Sequence, residues 1–161
     1  MKLASGIAPV TGMQSAGVTV SLGTDGCASN NNLDLFGEMG TAAKLHKVAT
    51  GDPTALNAAS VIKMATIDGA RAIGLADRIG SLAVGKQADI IVLDTRAPHL
   101  TTMYHPDSHI VYAAGGGDVR HVLVAGRQVV RDRQLLTIGI GEVIDRVNAI
   151  AQEIRSSHKS F

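Results

Sequence analysis

The stretch that decides the fold is Val18-Thr-Val-Ser-Leu-Gly-Thr-Asp-Gly-Cys-Ala-Ser-Asn-Asn-Asn-Leu-Asp34. Apolar and polar residues alternate from Val18 to Leu22, which predicts a short buried strand. Two glycines flank Thr24 and Asp25, so the backbone can turn tightly and present the Asp25 carboxylate at the strand end. In α/β folds the functional groups lie at the carboxyl ends of parallel strands. Asp25 is therefore a candidate functional residue, although a turn aspartate that bonds its own backbone explains the pattern almost as well.

Length and composition exclude several functional classes. The 161 residues suffice for one domain with a buried core. The 15 basic and 14 acidic residues give a net charge of +1, which indicates neither nucleic acid nor an anionic membrane as a partner. No apolar run approaches the roughly 20 residues of a membrane span. Cys27 is the only cysteine, so no internal disulfide can form and a reducing cytoplasm is the expected location.

The first half of the chain is predicted to be largely helical. A short helix over Ile7–Ala16 precedes the strand, and a long helix follows that is capped by one of Asn30–Asn32 and closed by Gly51. Asp52-Pro53 resembles an N-cap followed by proline at the first helical position, which predicts a third helix over Thr54–Ala72. That helix is apolar nearly all round, so we expect it to be buried on most sides.

The second half is predicted to contain short strands and turns. The unbroken apolar run in Ala88–Asp94 predicts a strand buried on both faces. Val119–Val124 and Gln128–Val130 predict a hairpin that turns at Ala125-Gly126. If Arg133, in the following turn, adopts a positive φ, replacing it with glycine should stabilise the fold.

Two further helices are predicted in this half. Pro106 should open a short helix that extends through Ala114. Near the C-terminus, apolar residues recur at spacings of four, three and four, which predicts a surface helix with one apolar face. These residues are Val143, Val147, Ile150 and Ile154.

The chain contains five segments, Leu22–Met39, Met64–Leu75, Ile79–Asp94, Ser108–Ala114 and Val119–Arg131, that in sequence and in order resemble the amidohydrolase superfamily. The segment Leu22–Met39 is similar to the last-strand segment of these enzymes. Its closest resemblance is to the branch of methylthioadenosine and S-adenosylhomocysteine deaminases, with the triazine chlorohydrolases as relatives. The resemblance continues through the four later segments and so covers most of the chain.

The resemblance implies an α/β fold, namely the C-terminal portion of a metal-dependent (β/α)8 barrel plus part of a small β-sandwich domain. Residues 1–78 would supply the last strand and helices of the barrel. Residues 79–136 would supply the C-terminal part of the small β-domain with an inserted short helix, and residues 137–161 an amphipathic helix. Because a full barrel takes ~250 residues, we expect this chain to be the C-terminal part of such an enzyme: a gene fragment, a truncated form or a late translation start.

The resemblance also implies a chemistry. In the family, the aspartate after the eighth strand binds a divalent metal, commonly zinc or iron, and shuttles the proton of the attacking water. Asp25 occupies that position, so it is the expected catalytic, substrate-binding and metal-binding residue, with its side chain open to a concave surface. The family's other metal-binding histidines and its glutamate lie upstream of this chain. A catalytic zinc usually needs three protein ligands, so we expect the chain alone to be inactive.

The implied function is a metal-dependent hydrolase of non-peptide C–N bonds, in particular one that deaminates methylthioadenosine or S-adenosylhomocysteine. The expected partner is a small nucleoside or purine-like substrate, with no nucleic acid and no membrane; a homo-oligomer is a further expectation. Two alternatives stay open. The chain could be a non-catalytic or partner-binding remnant of such an enzyme, or part of another amidohydrolase, such as a chlorohydrolase or a different nucleobase deaminase.

Other chemically suggestive residues are better explained by structural roles. His105 and His109 share the spacing of zinc ligands, but no glutamate lies between them and Pro106 places His105 outside the helix, so capping and surface packing are favoured. His46 is expected in the core and Cys27 as a small buried filler. A flexible turn is expected at Gly115-Gly-Gly117, and core positions are expected for Met13, Met39 and Met64.

Overall fold

The structure is a computed structural model that describes residues 3–157. Four helices come first, and a four-stranded antiparallel sheet with an inserted helix and a C-terminal helix follow. The helices are α1 (Val10–Ser15), α2 (Leu35–Thr50), α3 (Ala58–Ala65), α4 (Ile67–Ala72), α5 (Pro106–Tyr112) and α6 (Ile140–Ser157). The strands are β1 (Ile90–Leu93), β2 (Val119–Val124), β3 (Arg127–Arg131) and β4 (Gln134–Leu135).

The sheet has the order β1-β2-β3-β4, and the predicted hairpin between β2 and β3 is confirmed. Its turn residues Ala125 and Gly126 both have positive φ, the geometry that matches the twist of paired strands. The prediction that the first strand is buried on both faces is wrong. Ile91 and Val92 point to opposite faces and are 51% and 41% exposed. Strand β1 lies at the sheet edge, where the described elements cover it only partly.

Helices α2, α3 and α5 pack against one another and enclose the main apolar core. The predicted N-cap of helix α2 is wrong. Asp34, not one of Asn30–Asn32, accepts the Phe36 N–H with its Oδ1, at 2.9 Å. Gly51 closes the helix with a φ of 67°, as predicted. The buried core residues are Val10, Phe36, Met39, Ala43, Leu56, Val61, Met64 and Val111.

The long helix predicted over Thr54–Ala72 is two shorter helices. Asp52 closes a turn by accepting the Thr54 N–H at 2.8 Å, and α3 begins later, where Asn57 accepts the Ser60 N–H at 3.0 Å. The helical path breaks at Thr66, whose φ and ψ are −129° and −98°. Tertiary contacts accompany this break, because the Met64 carbonyl accepts the Leu22 N–H at 3.2 Å. Helix α1 likewise is shorter than predicted and begins after Pro9.

The segment from Val18 to Leu22 has no regular secondary structure and is not paired with any strand in the described chain. The predicted buried strand is therefore wrong in its pairing, because a strand needs a neighbour whose backbone can bond to it. Burial is only partial as well. Val18 is 47% exposed, whereas Val20 and Leu22 pack against the core. This packing, together with the bond to Met64, positions the end of the segment.

Helix α6 has the predicted apolar face, and no residue of α6 is buried. The apolar side chains that define this face are 41–58% exposed. They are Val143, Ile144, Val147, Ile150 and Ile154. Within residues 3–157, none of the helices combines the length and the apolar character that crossing a membrane requires.

The core predictions for single residues are partly confirmed. His46, Met39 and Met64 are buried, with exposed fractions of 6%, 6% and 1%. Cys27 is exposed, so its assignment as a buried filler is wrong, since it lies in a surface turn after Gly26. Met13 is 37% exposed, because α1 is short and Val10 is the only residue of this helix that is buried.

Arg133 does adopt a positive φ, of 65°, in the turn after β3. However, its Nε donates to the Gly117 carbonyl at 3.0 Å, and its guanidinium lies 3.6 Å from Asp94. Arg133→Gly would relieve backbone strain of about 1 kcal/mol but would also lose a hydrogen bond of comparable size. We therefore expect a net change close to zero, rather than the stabilisation that the backbone alone predicts.

The comparison with Arg133→Ala isolates the strain. Alanine loses the same side-chain contacts and keeps the left-handed backbone, so it should be less stable than the glycine variant by about 1 kcal/mol. Urea unfolding of both variants measures this difference. Equal stability of the alanine and glycine variants would show that the turn is not strained.

Candidate functional site

Asp25 lies three residues after the Val18–Leu22 segment, and its carboxylate is fixed by the turn that follows. Its Oδ1 accepts the Gly26 N–H at 2.7 Å, and its Oδ2 accepts the Ser29 hydroxyl at 2.6 Å. The hydrogen bond from Ser29, and then that from Gly26, lower the pKa of Asp25 below its ordinary value. The side chain is exposed. Asp25 is therefore an ionised, oriented carboxylate at neutral pH.

Its backbone is held in an uncommon conformation by the next residues. Asp25 has a φ of 57°, in the left-handed region that few non-glycine residues adopt. The Gly26 carbonyl accepts the N–H groups of Ser29 and Asn30, at 3.2 and 2.8 Å, and closes the turn. The Asn30 side chain donates to the Thr24 carbonyl at 2.9 Å and to Glu38 of α2 at 2.7 Å. The turn is thus attached to helix α2.

A second carboxylate connects the start of α2 to the turn that precedes β2. Asp34 caps α2 with Oδ1, while its Oδ2 accepts the Gly116 N–H at 2.8 Å. A Cβ at Gly116 would lie 3.2 Å from that oxygen, so a side chain there would crowd the contact. The run of three glycines, Gly115-Gly-Gly117, predicts a flexible turn. The structure instead shows a 3₁₀ turn over Gly116–Asp118 that this bond anchors.

His99 and Asp118 form a pair that no pattern in the sequence indicated. The Nε2 of His99 lies 3.0 Å from both carboxylate oxygens of Asp118, which is only 8% exposed. Gly115 donates its N–H to the same carboxylate at 2.9 Å. The bond from His99, followed by that from Gly115, lowers the pKa of Asp118. The pair joins the Pro98–Leu100 turn to the Gly115 turn, and we assign it a structural role.

This pair predicts a specific pH dependence of stability. A carboxylate whose pKa is lower in the folded protein than its ordinary 3.8 stabilises the fold above that value, and the stabilisation is lost as pH falls through the lowered pKa. Asp118→Asn should therefore destabilise the fold at neutral pH, and its difference from the parent should shrink as the pH falls below 3.8. Urea unfolding at several pH values measures this difference. If the difference in unfolding free energy between the parent and Asp118→Asn were the same at pH 7 and pH 2, the structural role assigned to this pair would be contradicted.

The residues around Asp25 fit one ligand of a metal site, not a whole site. Each Asp25 oxygen accepts one of the hydrogen bonds described above, and a carboxylate oxygen has a second lone pair. Within the described residues, no three His, Cys, Asp or Glu side chains are grouped closely enough to hold a metal. His109 directs Nδ1 to the His105 carbonyl, 3.1 Å away, which favours the structural reading of that pair.

The main cavities of the described chain lie elsewhere. One, of about 580 Å³, is lined by Leu22, Gly69 and Gly80, among other residues. Another, of about 540 Å³, is lined largely by apolar side chains of α2 and the sheet, including Phe36 and Val122. Asp25 lines neither cavity. Neither of these two cavities is the concave surface expected beside Asp25, and that expectation stays a prediction.

Sequence comparison places the chain among known enzymes. It is 61% identical over 155 residues to a 5-methylthioadenosine/S-adenosylhomocysteine deaminase of Syntrophobacter fumaroxidans. It is 53% identical over 154 residues to a 5'-deoxyadenosine deaminase of Methanosarcina acetivorans. Each match covers 96% of this chain and 35% of the relative. The chain thus spans about a third of the length of these curated relatives and corresponds to their C-terminal third.

Comparison with solved structures finds relatives similar to those found by the sequence comparison. A zinc-bound adenosine deaminase from Xanthomonas campestris superposes with a TM-score of 0.93 at 43% identity, over 96% of this chain and 35% of that one. An atrazine chlorohydrolase from Arthrobacter aurescens, solved with zinc and atraton, gives a TM-score of 0.82 at 26% identity, over 89% and 32% of the two chains. The expected partial α/β fold is thereby confirmed.

The family is also matched directly. The sequence model described as "Amidohydrolase family" matches residues 1–129, which include the Asp25 turn, the helical core, β2 and the first part of β3. This range is most of the chain, and it contains the segments Leu22–Met39, Met64–Leu75, Ile79–Asp94 and Ser108–Ala114 and most of Val119–Arg131. The chain therefore belongs to the amidohydrolase family.

Proposed function

We propose that this chain provides the C-terminal share of a metal-dependent hydrolytic deaminase, with Asp25 as a metal ligand and proton carrier. The observation that carries the proposal is the ionised, exposed Asp25 carboxylate, held by Gly26 and Ser29 just after the Val18–Leu22 segment. The substrate class is an adenosine-type nucleoside, such as methylthioadenosine or S-adenosylhomocysteine. The names of the relatives that are 53–61% identical support this class.

Asp25 would hold the metal as one ligand, and the remaining ligands would come from residues outside this chain. A bound divalent ion, zinc or iron, supplies the acidity that makes water a nucleophile near neutral pH. The Asp25 carboxylate would accept a proton from the attacking water as the water oxygen bonds to the ring carbon that carries the amino group. Asp25 then returns the proton to the amino nitrogen, the C–N bond breaks and ammonia leaves. Ser29 and Gly26 keep the carboxylate oriented throughout.

The test joins this chain to the part of a relative that the chain does not cover. Residues 1–161 replace the C-terminal third of the Syntrophobacter fumaroxidans deaminase, to which they are 61% identical. We expect this chimera to retain zinc after dialysis and to release ammonia from methylthioadenosine. The isolated 161-residue chain serves as the negative control, because one carboxylate is a weak anchor for zinc. A folded chimera that retains no zinc and no activity would contradict the proposal, as would a zinc-loaded, active isolated chain.

The same chimera separates the alternatives. The deaminase reading is preferred over a chlorohydrolase because the deaminase relatives are 43–61% identical to the chain and the chlorohydrolase is 26% identical. Dechlorination of a triazine without deamination of nucleosides would reverse that preference. A folded chimera that is inactive towards both substrate types would favour a non-catalytic remnant.

We also infer the organisation of the chain and its setting. Helices α1–α4 lie within the proposed barrel part, 1–78, whereas β1–β4 and α5 lie within the proposed β-domain, 79–136. The exposed apolar face of α6 supports a homo-oligomer, which light scattering on the chimera would detect. The single cysteine supports a reducing compartment such as the cytoplasm.

A further inference from the structure

A polar bridge connects the residue before Asp25 to helix α2. The side-chain amide of Asn30 donates to the Thr24 carbonyl at 2.9 Å and to Glu38 Oε1 at 2.7 Å. Its Oδ1 accepts the Asn32 N–H at 3.2 Å, so all of these contacts require the same orientation of the amide. Thr24, Asn30 and Glu38 are each half-buried, which makes their bonds less accessible to competing water.

The helical end of this bridge is firmly placed. Glu38 lies in the first turn of α2, next to Met39, which is 6% exposed, and two residues after Phe36, which is 9% exposed. Asp34 caps the same turn and also bonds to Gly116. Glu38 therefore extends from a part of the helix that core packing and capping hold on two sides.

The other end of the bridge is the site of uncommon backbone geometry. Asp25 follows Thr24 directly and has a φ of 57°. The segment before it is attached to α3 by the backbone hydrogen bond from Leu22 to Met64. The bonds from Gly26 and Ser29 orient the Asp25 carboxylate but belong to the same turn, so they move with it. Of the bonds described here, only the Asn30–Glu38 bond connects the turn to a core helix.

We propose that Asn30 and Glu38 are positioning residues that hold the Asp25 carboxylate in place for metal binding and proton transfer. This inference rests on the proposed function of Asp25. The hydrogen bonds described for Asn30 and Glu38 do not go to Asp25, so both side chains act through the Thr24 carbonyl and the turn. Residues that orient metal ligands typically change metal affinity or activity by 10–100-fold when they are replaced.

The variants are chosen by hydrogen-bonding chemistry. Asn30→Asp cannot donate to Thr24 or Glu38 and places a negative charge beside Glu38. Glu38→Leu removes the acceptor at similar size, whereas Glu38→Gln keeps an oxygen that can accept the same bond. Asn32→Ala is the matched control, because Asn32 is exposed and uses its backbone N–H in this network.

We expect three results in the chimera described above. Asn30→Asp and Glu38→Leu should weaken zinc binding by 10–100-fold and lower kcat by a similar factor, with KM changed less than threefold. Glu38→Gln should restore both properties to within threefold of the parental chimera. Asn32→Ala should match the parental chimera. Zinc affinity is measured by competition with a chelator, independently of activity.

A second measurement tests the mechanism in the 161-residue chain itself. Asn30→Asp should speed amide hydrogen exchange in residues 23–29 at least tenfold, without a matching change in the α3 amides. Equal acceleration in α3 would mean global destabilisation and would overturn the positioning role.

The outcomes separate this inference from the proposed function. A parental chimera without zinc or activity would overturn both. An active parental chimera whose zinc affinity and kcat are unaffected by Asn30→Asp and Glu38→Leu would overturn the positioning role alone. Failure of Glu38→Gln to restore function would overturn the hydrogen-bonding explanation.

Discussion

Asparagine in place of Asp25 should reduce the kcat/KM of the chimera by about 10²–10⁴-fold. The amide is nearly isosteric with the carboxylate, but it is neutral and cannot accept the proton of the attacking water. It also binds a cation less strongly than a carboxylate does, so zinc content should fall as well. Ammonia release from methylthioadenosine and metal analysis after dialysis measure the two effects.

The chain contains a matched control for this substitution. Asp52 is also exposed, accepts hydrogen bonds from the backbone and hydroxyl of Thr54, and has a lowered pKa for that reason. Asp52→Asn should leave kcat/KM within threefold of the parental value. If Asp25→Asn has an effect as small as that of Asp52→Asn, then Asp25 is only a turn residue and the metal-site assignment fails.

The similarity of Asp25 and Asp52 shows what local sequence can and cannot identify. Both residues bond their own turns, and neither spacing nor turn chemistry distinguishes a ligand from a structural aspartate. Asp25 is singled out by its place after a segment whose residues alternate like a strand and by the resemblance of the surrounding motifs to a family. The sequence could therefore nominate the residue, but its environment depends on contacts that are distant along the chain.

Elements that depend on local signals were predicted well. Gly51 supplies the left-handed residue that closes α2, and Pro106 opens α5. The Ala125-Gly126 turn fixes the β2–β3 hairpin, because its positive φ angles suit paired strands. The apolar periodicity of α6 also produced the expected helix. In each case the deciding interactions lie within a few residues.

Elements that depend on tertiary contacts were predicted poorly. Residues 18–22 alternate like a strand, but strand pairing requires a neighbour that the described chain does not place beside them. The break at Thr66 adjoins a hydrogen bond between Leu22 and Met64, which are 42 residues apart in the sequence. No periodicity within Thr54–Ala72 could have indicated it.

The polar contacts of the site region are likewise non-local. His99 and Asp118 are 19 residues apart, and Asp34 and Gly116 are 82 residues apart. Asn30 and Glu38 are closer, eight residues apart, but they belong to different elements. Asn30 was expected among the candidate helix caps, and its side chain instead connects a turn to that helix. Residue type alone suggested hydrogen bonding but not the partner.

Shortening Met64 to alanine should destabilise the chain by about 2–5 kcal/mol. Met64 is 1% exposed and lies in the core formed by α2, α3 and α5, so its removal leaves a cavity as well as losing buried apolar surface. Met13→Ala is the matched control, because the same atoms are removed from a side chain that is 37% exposed. Its effect should be about 0.5 kcal/mol. Urea unfolding followed by circular dichroism gives both values.

The Met64 substitution should also affect the Asp25 turn. Val20 and Leu22 pack against the same core, and the Met64 carbonyl accepts the Leu22 N–H, so a cavity here loosens the segment that ends at Asp25. We therefore expect faster hydrogen exchange at residues 20–25 in Met64→Ala than in Met13→Ala, measured under conditions where both chains are folded. Equal exchange at these residues, despite the expected difference in stability, would mean that the core does not position Asp25. The bridge from Asn30 to Glu38 would then be left as the main connection that holds it.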